Sequence, residues 1–158
     1  MSKIPESLLR ASRQKYEYVE LAKVSLTNSD LQNVYGIIID ASFPHKVSED
    51  KYVCSVKIID PSIHSAEYAA VVIFGKRFED LPIITKIGDI IRIHRATLRM
   101  FNNHRQFNVS TQWNGSWALF NTEDTNTEPQ SYSGKRATFE KHEVTLLNTL
   151  RKWSLQYF

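Results

Sequence analysis

The chain has 158 residues, 42% hydrophobic and 23% charged, enough for one domain with a real core and too few for a multidomain enzyme. An aromatic content of 11% against five glycines and five prolines excludes wholesale disorder and fibrous classes. The single cysteine, Cys54, excludes a disulfide framework or a Cys-based zinc cluster and fits a reducing compartment. The net charge is only +3, yet Lys86, Arg92, Arg95, Arg99 and Arg105 fall within twenty residues that hold one acid, Asp89. The rest of the chain is then close to neutral. This distribution suits a focused anionic partner and equally a strand edge protected by charge.

The opening MSKIPESLLRASRQ lacks the apolar stretch of a secretory leader, and no apolar run approaches membrane-spanning length. Residues 1–15 are polar and aperiodic, which predicts a flexible arm. From Val34 the run VYGIIIDASF predicts a first strand, with PHKVSEDK as a surface loop after it. A second strand, Tyr52 to Asp60, puts Cys54, Val56 and Ile58 on one face and Ser55 and Lys57 on the other. YAAVVIF predicts a third strand, and KRFEDLPIITKIG a short helical or irregular crossover. The fourth, Asp89 to Phe101, switches its apolar parity between Ile93 and Leu98, which calls for a β-bulge near Arg95 or Ala96 and turns Thr97, Arg99 and Phe101 outward. A turn (NNHR), a fifth strand from Gln106, and SWALF complete the set. Asn121 to Lys135 reads as a polar linker. A closing helix over about 138–155, N-capped by Thr138, carries the stripe Phe139, Leu146, Leu147, Leu150 and Trp153. The fold class is all-β, a five-stranded barrel of the OB type with a crossover helix and a C-terminal helix, occupying 16–158.

Catalytic patterns are weak. No nucleophile elbow or phosphate loop is present, Asp40, Asp60 and Asp89 sit at strand ends where Asp is ordinary turn chemistry, and the five histidines show no paired metal spacing. No metal, cofactor or enzyme activity is expected. The binding pattern is better. Unpaired nucleic acid is held by cations tracking phosphates and by aromatic faces under the bases. Phe101 is outward beside Arg99, with Arg105 and Gln106 following; the alternative is that the closing helix covers it. Trp113 in STQWNGS has the same two readings. Parity alone makes Phe74 core, and Lys57 is a phosphate or base contact or a solvated strand lysine. His45 and Lys46 lie in a loop that OB barrels place near the binding face, while Trp117, Phe107 and Trp153 are assigned to the core.

The runs YEYVELAKVSLTNSDLQNVYGIIIDASFP, YVCSVKIIDPS, KRFEDLPIITKIGDIIRIHRATLRMFNNHRQFN and LRKWSLQYF resemble the amino-terminal OB fold of the ciliate telomere end-binding protein alpha subunits, and more distantly that of the protection-of-telomeres proteins. The resemblance covers about Tyr16 to Phe158. It implies a nuclear, telomeric protein that binds the single-stranded G-rich 3′ overhang and caps it without catalysis. It matches stacking aromatics to Phe101, Phe74 and Trp113, a hairpin glutamine to Gln106 and a strand lysine to Lys57. Ciliate relatives carry Tyr where Phe101 and Trp113 stand, so stacking is kept and a phenol hydrogen bond is lost. The alpha subunit continues into further OB folds and meets a beta subunit through regions absent here, so this chain reads as an excised domain or a reduced relative. A homodimer, a protein-interaction role for the barrel, and a replication-type paralogue with less sequence-specific binding stay open as alternatives.

Overall fold

The computed structural model describes residues 16–24, 31–63, 67–123, 127–135 and 137–157; the arm expected over 1–15 lies outside them. Among the described residues, eight strands and one α-helix follow in order: β1 (Gln32–Ala41), β2 (His45–Ser48), β3 (Lys51–Ile59), β4 (Ala69–Gly75), β5 (Ile90–Phe101), β6 (His104–Ser110), β7 (Ser116–Phe120), β8 (Ser131–Tyr132) and α1 (Glu143–Tyr157). Five of them make a ring. β1 pairs β3, β3 pairs β4, β4 runs parallel to β6, β6 pairs β5, and β5 returns to β1. This is the OB arrangement expected, with β2, β7 and β8 as short additions. The crossover after β4 is a single 3-10 turn at Phe78–Asp80, because Pro82 leaves no room for a longer helix.

The predicted bulge is what lets one strand serve two parts of the ring. On β5, Ile93 pairs Val34 while Ala96 pairs Gln32, so β5 has one extra residue, and Arg95 adopts φ 60. Before the bulge β5 lies between β1 and β7; after it, Thr97 to Phe101 pair with β6. β1 and the first half of β5 are buried on both faces, which explains the unbroken IIID and DII runs. Val34, Ile38, Ile91 and Ile93 fill the ring interior with Val56, Ile58, Val71, Ile73, Phe107 and Trp117. Tyr35, Ile37, Ile90 and Phe120 face the other way and are covered by Leu147 and Leu150 of α1. Trp153 is half-buried at the margin of this second cluster, not fully in the core.

The helix begins at Glu143, five residues after the expected Thr138 cap. Its entry is set instead by Glu143, whose carboxylate accepts from the Glu140 backbone N–H at 2.6 Å, while the Glu143 N–H donates to the Glu140 carbonyl. This is the backward half of a capping box. The Thr138 carbonyl accepts from Arg92 Nη1 at 2.6 Å. Two strands escaped the sequence reading: β2, in the presumed loop PHKVSEDK, and β8, in the presumed linker.

Between β6 and β7 the chain makes a 3-10 turn at Thr111–Trp113 and a left-handed residue, Asn114 (φ 73), before Gly115. A Cβ on Gly115 would fall against Val109 Cγ2 and 2.8 Å from the Ser110 carbonyl oxygen. Gly115→Ala therefore forces the turn apart, and we expect a loss of about 1–3 kcal/mol in denaturant unfolding. A wild-type midpoint would contradict this packing.

Candidate nucleic-acid interface

Strand alternation gives β3, β4, β6 and the second half of β5 a shared outward face. The ladder registers place Lys57, Ala70, Gln106 and Arg99 in one row across it, and Ser55, Val72, Asn108 and Thr97 in the next. A third row holds Val53, Phe74 and Ser110, with His45 of β2 beyond Val53. The middle of this face is floored by small and polar side chains, and the ends carry rings.

At one end Phe101 is 53% exposed. It is held by a two-residue hairpin loop, Asn102 and Asn103, both with positive φ (51 and 66), the conformation of a tight type I′ turn. At the other end Phe74 and Trp113 line one recess of about 300 Å³ with Lys51 and Gln112. Trp113 is 77% exposed, and α1 covers neither it nor Phe101. Phe74 points outward and is half-buried, because Ala69, Val71 and Ile73 take the inward positions of β4; parity read without its partner strands had placed it in the core.

Three cations on this face sit beside rings. Lys51 Nζ is 4.5 Å from the Phe74 ring centre, Lys57 Nζ 4.8 Å from Tyr68, and the Arg99 guanidinium 6.0 Å from Phe101. Lys57 also lies 3.8 Å from Asp40. Gln106 Nε2 donates to Asn108 Oδ1 at 2.9 Å, which orients both amides along the floor. His45 and Lys46 belong to the exposed β2 edge, where Lys46 faces Glu49 at 3.5 Å.

The basic segment of the sequence does not act as one patch. Arg92 is 4% exposed and paired with Glu143 at 2.8 Å, and Lys86 pairs Glu123 at 2.9 Å. Arg95 donates to the Tyr16 hydroxyl at 2.6 Å and to the Asn114 carbonyl. Arg105, named with Arg99 as a source of charge, lies on the opposite side of β6 from Gln106 and donates to the Ala22 carbonyl at 3.2 Å. A count along the chain cannot see that neighbouring strand residues face opposite ways. Of the five, Arg99 alone is exposed on this face. The sequence reading placed Thr97 outward with Arg99 and Phe101 without naming it as a contact, and it missed Lys51, Tyr68 and Asn108, which only the strand registers bring to the same face.

Among the described residues, no three His, Cys, Asp or Glu side chains gather in a way that could hold a metal ion. Asp40, Asp60 and Asp89 stay apart: Asp60 accepts from the backbone N–H groups of Leu21, Ser62 and Ile63, and Asp89 from Thr122. Burial pushes the Cys54 thiol up to about 11, so it is a packing residue rather than a nucleophile.

A family model described as telomeric single-stranded DNA binding POT1/CDC13 matches residues 12–158. The chain belongs to this family. It is a family of DNA-binding proteins rather than of enzymes. The chain is 46% identical over 171 residues to the telomere-binding protein subunit alpha of Stylonychia mytilus, covering 94% of this chain and 35% of that one. It is 48% identical over 166 residues to the subunit alpha of Sterkiella nova, covering 91% and 34%. It thus spans about a third of the length of the curated relatives it matches. Among solved structures, fission yeast Pot1 with single-stranded DNA superimposes with a TM-score of 0.70 at 18% identity, covering 96% of this chain and 52% of the other. A Pot1 (protection of telomere) complex with single-stranded DNA does so with 0.69 at 20% identity, covering 96% and 94%. These likenesses establish the shared fold.

Proposed function

We propose that this chain binds single-stranded, G-rich telomeric DNA across the β3-β4-β6-β5 face and, as part of a telomere protein in the nucleus, contributes to capping the 3′ overhang without catalysing a reaction. The observation that carries the reading is the set of three cation-bearing rings, Lys51 with Phe74, Lys57 with Tyr68 and Arg99 with Phe101, at the two ends of a polar floor. Unpaired bases offer π faces to such rings while phosphates meet the cations. Phe101 and Trp113 are large apolar side chains left mostly exposed on this face. Gln106, Asn108 and Thr97 lie between the two ends, where amides and hydroxyls meet base edges and supply sequence preference.

A fluorescence titration with a G-rich oligonucleotide tests the reading. Base stacking on Trp113 quenches tryptophan emission, whereas the buried Trp117 keeps its signal; Trp113→Phe removes the quench and retains binding. Emission unchanged at saturating oligonucleotide contradicts the role of Trp113. Counterion release gives log K against log salt a slope of about −0.7 per phosphate contacted on a single strand. Arg99→Ala is expected to flatten that slope by about one contact, and an unaltered slope would remove Arg99 from the interface.

A further inference from the structure

Beside Phe101 the face carries a feature that the core does not require. The rings of Tyr68 and His104 lie parallel, with centres 4.0 Å apart and planes within 18°. His104 is the cross-strand partner of Phe101, and the type I′ loop between them fixes both side chains at the same end of the β5–β6 hairpin. Tyr68 immediately precedes β4, whose residue Ala69 pairs Arg105. Tyr68 and His104 are therefore in register, two residues before Ala70 and Gln106 and so on the same face. Tyr68, His104 and Phe101 form a line of three rings across β4, β6 and β5, all on the outward side. Lys57 Nζ stands 4.8 Å from the Tyr68 ring. Tyr68 packs against the second core cluster, so one ring of the pair is held by packed side chains.

From these placements we infer that the Tyr68–His104 pair is a further stacking station for a nucleobase, set in series with Phe101. His104 supplies the contact face, and Tyr68 is the positioning residue that holds the imidazole parallel to itself. Three features support a base as the occupant. Both rings are half-exposed on the same face as the other aromatic residues. A cation stands beside them for the adjoining phosphate. And the distance from Tyr68 to Phe74, six residues of strand, is about 20 Å, so a single strand anchored on Phe74 and Trp113 has to span several nucleotides to reach this end. The station would be engaged by long oligonucleotides and left empty by short ones. This inference rests on the proposed DNA-binding role of the same face.

The test pairs a protein change with a ligand change. His104→Ala and His104→Phe are titrated, beside the wild type, with G-rich oligonucleotides shortened one nucleotide at a time from each end, and circular dichroism melting verifies the fold of each variant. A stacked base lost to alanine corresponds to about fivefold or more in affinity. We expect His104→Ala to weaken long oligonucleotides by at least that factor, His104→Phe to restore most of it, and the effect of His104→Ala to vanish once shortening has removed the nucleotide over the pair. Wild-type affinity in His104→Ala at every length would overturn the stacking station while leaving the groove intact. A deficit that is the same at every length, or that phenylalanine does not relieve, would overturn it as well, by assigning His104 a charge or folding role. Failure of the wild type to bind any of these oligonucleotides would instead remove the groove reading on which the station depends.

Discussion

Replacing Glu143 by alanine is expected to destabilise the fold by about 3–5 kcal/mol. The Glu143 carboxylate has no exposed surface and gathers three donors: Arg92 Nη1 at 2.8 Å, the Tyr35 hydroxyl at 2.5 Å and the Glu140 N–H at 2.6 Å. Burial, reinforced by this carboxylate, holds the Tyr35 hydroxyl well above its ordinary range, so it remains a donor. Without Glu143 the Arg92 guanidinium is left buried against the Thr138 carbonyl, and the helix loses the contact that starts it. An uncompensated interior charge costs far more than a missing surface pair. The paired replacement Arg92→Met with Glu143→Leu removes both charges and is expected to regain most of the loss. Denaturant unfolding measures both, and a Glu143→Ala cost below about 1 kcal/mol would contradict a buried pair. The ion pair lies between β5 and α1, away from the β3-β4-β6-β5 face, so variants that remain folded should bind DNA as the wild type does.

The largest expected effect on binding belongs to Phe101→Ala combined with Trp113→Ala. Alanine replacement of a stacking aromatic costs about 1–3 kcal/mol per base. The two rings stand at opposite ends of the face without a shared partner, and independent sites add. The double variant should therefore bind at least ~30-fold more weakly than the wild type, with its melting temperature little changed because both side chains are mostly exposed. Competition binding against a labelled G-rich strand checks this. A double variant within twofold of wild type would move the interface elsewhere on the molecule.

Much of this architecture was legible because the residues that make it obey strand alternation. Cys54, Val56 and Ile58 against Ser55 and Lys57 announced β3 and its faces, and the parity switch between Ile93 and Leu98 announced the bulge at Arg95. Other parts left no local trace. β2 and β8 are too short for a periodic pattern and exist because β3 and β7 offer edges to pair with. Phe74 looked internal because VVIF shows no alternation, and only its register with Val53 and Ser110 turns it outward. Thr138 resembled a cap, but the decisive contact is the Glu143 carboxylate reaching back to Glu140. The charge cluster misled in a physical way. Arg92 and Arg105 are as cationic as Arg99, yet one faces the helix-side core and the other the far side of β6. Tyr68 and His104 meet through the parallel β4–β6 pairing, a contact between residues far apart in sequence that no periodicity reveals.

The most direct measurement of the central claim is a titration of this chain against three nucleic acids of equal length at fixed salt: the G-rich telomeric single strand, a scrambled single strand of the same composition, and a duplex. Stacking rings at the ends of a polar floor need unpaired bases, and the amides between them read base edges. The account predicts tightest binding to the telomeric single strand, weaker binding to the scrambled strand, and the weakest to duplex. Equal affinity for all three would contradict it, leaving only nonspecific attraction between a mildly basic protein and phosphate.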